Sequence, residues 1–224
     1  MRSSIIYFIS GLGADRRAFS KLVFPPEISV IHLDWIPPAA NESLSDYARR
    51  LAERIDHTAP YYLVGLSFGG MLATEITKIM NPVHTFLISS IATYKELPWY
   101  YRAAGSISLQ KSIPVGLLKN SNNIGLRLLG AKTEDELLLL KQLVADSDPY
   151  FMKWALTCIL NWRNTERPAN ITQIHGTADN ILPMRYTSKQ DFVLDKAGHF
   201  MVYADGEKIS DIILSVIMPS SYQR

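Results

Sequence analysis

Short apolar runs alternating with amphipathic helical segments constrain this chain more than any other feature. Ile5-Ile6-Tyr7-Phe8-Ile9 holds no charged residue, as suits a strand buried on both faces. Val30-Ile31-His32-Leu33, Tyr61-Tyr62-Leu63-Val64, Thr85-Phe86-Leu87-Ile88, Ile171-Thr172-Gln173-Ile174 and Asp191-Phe192-Val193-Leu194 read as five further strands. Helical signals lie between them. Ser43 with Asp46 three residues later reads as a capping box, and Leu44, Tyr47, Ala48, Leu51, Ala52 and Ile55 form one apolar stripe behind it. Gly69 to Met80 reads as a helix, and Ile209, Ile212, Ile213, Val216 and Ile217 stripe a closing one. Strands alternating with helices predict an α/β fold, a doubly wound parallel sheet with helices on both faces.

The alternation breaks once. From 91 to 167 no strand pattern occurs. Helical patterns run instead over Trp99–Ala104, Val115–Leu129, from Thr133 and Glu136 to Ala145, and over Pro149–Trp162. Asp148 is a cap for the last, with proline at its first helical position. The expected organisation is a core of residues 1–90 and 168–224 interrupted by a helical insertion, 91–167.

Composition narrows the function classes. A net charge of +2 gives no electrostatic ground for binding nucleic acid or an anionic membrane. No stretch approaches the roughly 20 apolar residues of a membrane span. The run around Ile5–Ile9 is short for a signal sequence, and Gly11 to Arg17 follow it at once. The expectation is a soluble cytoplasmic protein acting on a small molecule. The single cysteine, Cys158, excludes an intrachain disulfide and reads as a small buried hydrophobe within WALTCILNW.

Gly65-Leu66-Ser67-Phe68-Gly69 matches G-x-S-x-G. Such a pentapeptide recurs by chance in roughly one chain in twelve of this length, so context decides. Here a strand precedes it and a helix follows, the setting that a nucleophile elbow requires. Helix N–H groups then face the serine and favour negative charge beside it. Three further segments stand at strand ends: Ser10-Gly11-Leu12-Gly13, His175-Gly176-Thr177-Ala178-Asp179 with Pro183 beyond, and Lys196-Ala197-Gly198-His199-Phe200.

Together these segments resemble the α/β-hydrolase superfamily over nearly the whole chain, the insertion being the variable part. The family's sheet usually opens with two further strands. The resemblance therefore implies a compact sheet of about six parallel strands in the order 2-1-3-4-5-6, with the ligand crevice at the switch point between the first and third. It implies Ser67 as nucleophile, Asp179 as acid and His199 as general base, in the family's order along the chain. Asp195 is the nearest rival acid, but it lies only four residues before His199. Of the other histidines, His175 reads as holding the acid loop, His32 and His84 belong to strands, and His57 is a solvated helix end. The oxyanion donors implied are the backbone N–H groups of Phe68 and Leu12. Ser10 departs from the family's H-G-x-x-G loop, in which a histidine usually stands there.

The same loop begins like a dinucleotide fingerprint, Gly11-x-Gly13, but Arg16 replaces the third glycine and Asp34 would have to be the ribose acid. That reading leaves Ser67, Asp179 and His199 unexplained, so no cofactor and no metal are expected. The insertion's Trp99, Tyr100, Tyr101, Phe151, Trp154 and Trp162 are candidates to line a pocket, and no Arg or Lys cluster near the motifs calls for an anionic substrate. The expected activity is a serine carboxylesterase acting on a small or medium apolar acyl group. A thioesterase, C–C hydrolase or lyase on the same fold is the alternative, as is a binding module without turnover.

Overall fold

The structure, a computed structural model, describes residues 4–107 and 123–218. Six strands form one parallel sheet: β1 (Ser4–Ile9), β2 (Ile28–His32), β3 (Tyr61–Leu66), β4 (His84–Ile88), β5 (Ile171–Gly176) and β6 (Phe192–Leu194). The spatial order is β2-β1-β3-β4-β5-β6, as the family resemblance implied. The reversal lies between β1 and β3, where Phe8 pairs with Val64 and Ile9 with Gly65. The central strands are the near-continuous apolar runs, whereas edge strand β2 leaves Val30 and Ile31 exposed.

Each sheet face has its own core. On one, α1 (Leu44–Ala52) and α2 (Phe68–Ile79) bring Tyr47, Leu51, Met71, Leu72 and Ile76 onto Ile9, Leu63 and Leu87. On the other, α8 (Gly206–Ile217) brings Ile209 and Ile213 onto Phe8, Val64, Phe86 and Ile88. These side chains are almost wholly buried, and each contributes about 1.5–3 kcal/mol of transfer free energy.

Helix starts follow the local signals with one correction. Ser43 Oγ accepts the Asp46 N–H at 3.1 Å, but the Asp46 carboxylate turns to the Ser43 hydroxyl and to Arg49. It is a plain N-cap, not a capping box: a carboxylate one methylene shorter than glutamate's is held by nearer donors. The full box belongs to Thr133 and Glu136, which open α5 (Glu134–Asp146).

Between β4 and β5 come α3 (Trp99–Ser106), α4 (Asn123–Leu128), α5 and α6 (Pro149–Asn161). Residues 115–122 of the helix expected from Val115 lie outside the described residues; α4 is its described end. Asp148 caps α6 through the Tyr150 N–H at 2.9 Å. These helices do not build a separate core. Leu137, Leu140 and Leu143 of α5 join the cluster on one sheet face, and Phe151, Ala155 and Trp162 join the other. A one-turn helix, α7 (Met201–Ala204), precedes α8 and was not anticipated. Among the described residues, no helix is long and apolar enough to cross a membrane.

Candidate active site

Ser67 sits at the tight corner between β3 and α2. Its N–H still belongs to the sheet, donating to Ile88 O at 2.9 Å. Its own backbone is at φ +51°, ψ −118°, a region that costs a non-glycine residue about 1–3 kcal/mol. The motif glycines make the corner possible. A Cβ on Gly65 would lie 2.4 Å from Gly69 O, and one on Gly69 would lie 2.2 Å from Ser10 O. The elbow thus presses α2 directly onto the end of β1.

Ser67 also occupies the N-cap position of α2, yet its side chain makes no capping bond. The hydroxyl turns away to His199, with Oγ 2.9 Å from Nε2. His199 Nδ1 lies 2.8 Å from Asp179 Oδ2. Asp179 Oδ1 accepts the N–H groups of Ile181 and Leu182 at 2.9 and 2.8 Å. A carboxylate can only accept, so His199 carries its proton on Nδ1 and offers the Nε2 lone pair to the serine hydroxyl. Burial pushes the Asp179 carboxyl up. The charge of the imidazolium that His199 becomes on taking a second proton, hydrogen bonds from His175 and His199, and the Leu182 N–H outweigh that and hold it well below the usual carboxylate range.

His175 is buried one layer beneath. Its Nε2 is 2.6 Å from Leu182 O and 3.4 Å from Asp179 Oδ2. A carbonyl can only accept, so Nε2 bears the proton and ties together the loop that carries Asp179. Asp195, the rival acid, is exposed and bonded to Thr177. His84 bonds Thr172 at 2.8 Å, and His57 is exposed. The Cys158 thiol is pushed up to about 12 by burial and remains protonated.

The loop after β1 faces the serine: a Cβ on Gly11 would touch Ser67 Cβ at 3.3 Å. Ser10, standing where the family's histidine stands, shapes this loop. Its hydroxyl donates to Ala14 O at 3.0 Å, and Trp35 Nε1 donates to the same oxygen at 2.9 Å. Among the described residues, the N–H groups of Leu12 and Phe68 have no partner within the chain. Arg16 and Asp34, the two positions of the dinucleotide reading, pair with each other instead.

Ser67, His199, Leu12 and Phe68 all line one cavity of about 200 Å³. Among the described residues, only Ser67, His199 and Tyr101 bring polar side chains to it. The rest is apolar, with Leu140 and Val144 from α5, Leu156, Ile159 and Leu160 from α6, and Leu129, Ile181 and Leu182 from loops. Of the six aromatic candidates, Tyr101 alone lines it. Burial raises its phenol, leaving the hydroxyl a donor. Phe151 and Trp154 pack against Phe68 from behind, Trp162 bonds Glu75 at 2.7 Å, and Trp99 is exposed. The aliphatic lining was missed because its only signal, apolar spacing on short helices, is the same as that of ordinary core. Among the described residues, no cluster of three or more His, Cys, Asp or Glu side chains is disposed to hold a metal ion.

The model of the alpha/beta hydrolase family matches residues 6–212. No curated protein matches the sequence. Solved structures share the fold. A thermophilic esterase from Thermogutta terrifontis superposes with TM-score 0.67 at 17% identity, over 95% of this chain and 89% of that one. A lipase-esterase related protein from Clostridium acetobutylicum gives 0.68 at 16%, over 94% and 93%. MenH from S. aureus gives 0.69 at 16%, over 97% and 94%.

Proposed function

The chain belongs to the alpha/beta hydrolase family, and from that premise we propose that it is a serine hydrolase of carboxylic esters with Ser67, His199 and Asp179 as its triad. The observation that carries the reading is the unbroken relay of 2.9 Å from Ser67 Oγ to His199 Nε2 and 2.8 Å from His199 Nδ1 to Asp179. Ser67 Oγ attacks the ester carbonyl carbon while His199 Nε2 takes its proton. The negative charge that develops on the carbonyl oxygen is met by the N–H groups of Phe68 and Leu12. His199 returns the proton to the leaving alkoxide, the C–O bond breaks, and an acyl-enzyme remains. Water, deprotonated by His199, attacks the acyl carbon and restores the Ser67 hydroxyl.

The cavity supports an apolar, uncharged acyl group of small or medium size. Its volume has room for about seven groups the size of a water molecule. Among the described residues, no charged side chain lines it to neutralise an anionic substrate. Residues 91–167 act as a helical cap over a core of 1–90 and 168–224.

The test is a panel of p-nitrophenyl esters of increasing acyl length, run beside fluorophosphonate labelling. Activity peaking at short or medium chains, with labelling abolished by Ser67→Ala, is the expected result. A Ser67→Ala protein that hydrolyses esters at the wild-type rate would overturn the reading. Labelling of Ser67 without ester turnover would move the assignment to another bond cleaved on the same fold.

A further inference from the structure

Ser90 makes a hydrogen bond that the mechanism above does not use. It lies two residues beyond β4, is wholly buried, and donates from its hydroxyl to Ser67 O at 2.6 Å. The direction is fixed, since a carbonyl has no proton to give. Ser67 O also accepts the N–H groups of Gly70 and Met71 at 2.9 and 3.4 Å, ordinary bonds of a helix's first turn. Among the described residues, Ser90 is the only one whose side chain reaches it. The end of β4 therefore grips the strained residue twice, through Ile88 O on its N–H and through Ser90 on its carbonyl.

The consequence passes through one amide. Ser67 C=O and Phe68 N–H belong to the same trans peptide plane and point in opposite directions. A bond that draws the carbonyl toward Ser90 aims the Phe68 N–H away from it. Phe68 lines the catalytic cavity beside Ser67. Hydrogen bonding at the oxygen also polarises the amide and strengthens its N–H as a donor. Gly70 leaves the space this requires, since a Cβ there would fall 2.3 Å from Ser90 Oγ.

We propose that Ser90 is a positioning residue that sets the direction and donor strength of the Phe68 N–H and holds Ser67 in its strained conformation. This rests on the ester-hydrolase reading, in which that N–H receives the oxyanion. The test compares wild type, Ser90→Ala and Ser90→Cys on one p-nitrophenyl ester, with fluorophosphonate labelling rates and thermal unfolding of each protein. Expected is a roughly 10- to 100-fold fall in kcat for Ser90→Ala with KM within about twofold, since the donor matters only once charge develops. Ser90→Cys, retaining a weak S–H donor, falls between the two, and labelling slows in the same order. Unchanged kcat in folded Ser90→Ala would overturn the proposal, as would a Ser90→Cys protein slower than Ser90→Ala, which would make size rather than the donor the cause. If wild type neither turns over nor labels, the ester-hydrolase reading fails and takes this with it; if wild type is active and the variants match it, this inference alone fails.

Discussion

Gly130 and Gly198 meet backbone to backbone. A Cβ on Gly198 would fall 2.7 Å from Gly130 Cα, and one on Gly130 would fall 2.9 Å from His199 N. Phe200 N–H, one residue past His199, donates to Leu129 O at 2.9 Å. The segment that follows α4 therefore helps set where His199 stands. Gly198→Ala is expected to force the two backbones apart, costing about 1–3 kcal/mol of stability and at least roughly tenfold in kcat through displacement of the imidazole. Denaturant unfolding and ester kinetics on the same preparation check both. An unchanged kcat would show that His199 is positioned without this contact.

Asp179 predicts an acid limb to stability. Its carboxyl is held below its ordinary value in the folded protein, so the folded state binds fewer protons than the unfolded one as pH falls. The contribution is fully present above the unfolded value near 3.8 and is lost as pH descends toward the folded one. Urea midpoints measured from pH 6 down to pH 2 should therefore drop more steeply in wild type than in Asp179→Asn. Parallel curves would mean that Asp179 is not linked to folding. The same variant should lose roughly four orders of magnitude in kcat, because an amide can favour the wrong histidine tautomer.

His175 offers a cleaner separation of structure from chemistry. Its Nε2–H serves Leu182 O and approaches Asp179, so His175→Phe leaves a buried carbonyl without its donor. The expected cost is about 1–3 kcal/mol, with a fall in kcat as the acid loop loosens. His175→Gln, which can present an amide N–H to the same carbonyl, should recover part of both. If Phe and Gln variants unfold at the same denaturant concentration, the donor is not what holds the loop.

The cavity wall predicts a shift in chain-length preference. Leu156 on α6 lines it and is only half-buried, so Leu156→Trp has room to turn its ring into the cavity. The ratio of kcat/KM for a long acyl ester to that for acetate is expected to fall at least roughly tenfold, given that each lost methylene contact is worth about 1 kcal/mol or more. A ratio that does not move would place the acyl chain elsewhere.

The sequence exposed the fold and the proposed triad to different depths. The six strands were legible as short apolar runs, most plainly the central ones buried on both faces, as Ile5–Ile9 is; their order came from the resemblance to the alpha/beta hydrolase family. Ser67 stood out because G-x-S-x-G lies between a strand and a helix, and Asp179 and His199 entered as the family resemblance implied them; the structure brings the three side chains within hydrogen-bond distance, Ser67 to His199 and His199 to Asp179. The cavity wall was not. Leu140, Val144 and Leu156 carry the same apolar periodicity whether they face a ligand or a neighbouring helix, and only packing separates the two. Among six aromatic candidates, Tyr101 alone reached the cavity, for the same reason. Ser90 was invisible for another. A serine after a strand is common, and its importance comes from a bond to a carbonyl 23 residues earlier. The Asp46 box failed on side-chain length, a detail finer than residue class.

The uncapped start of α2 bears on how this protein could decay. Ser67 holds a backbone conformation that suits glycine and leaves unused the capping bond its hydroxyl could have made. At this one position thermodynamics and reactivity ask for different residues. Drift toward robustness alone would favour glycine here, so the proposed nucleophile stands at a position where stability gives little reason to keep a serine.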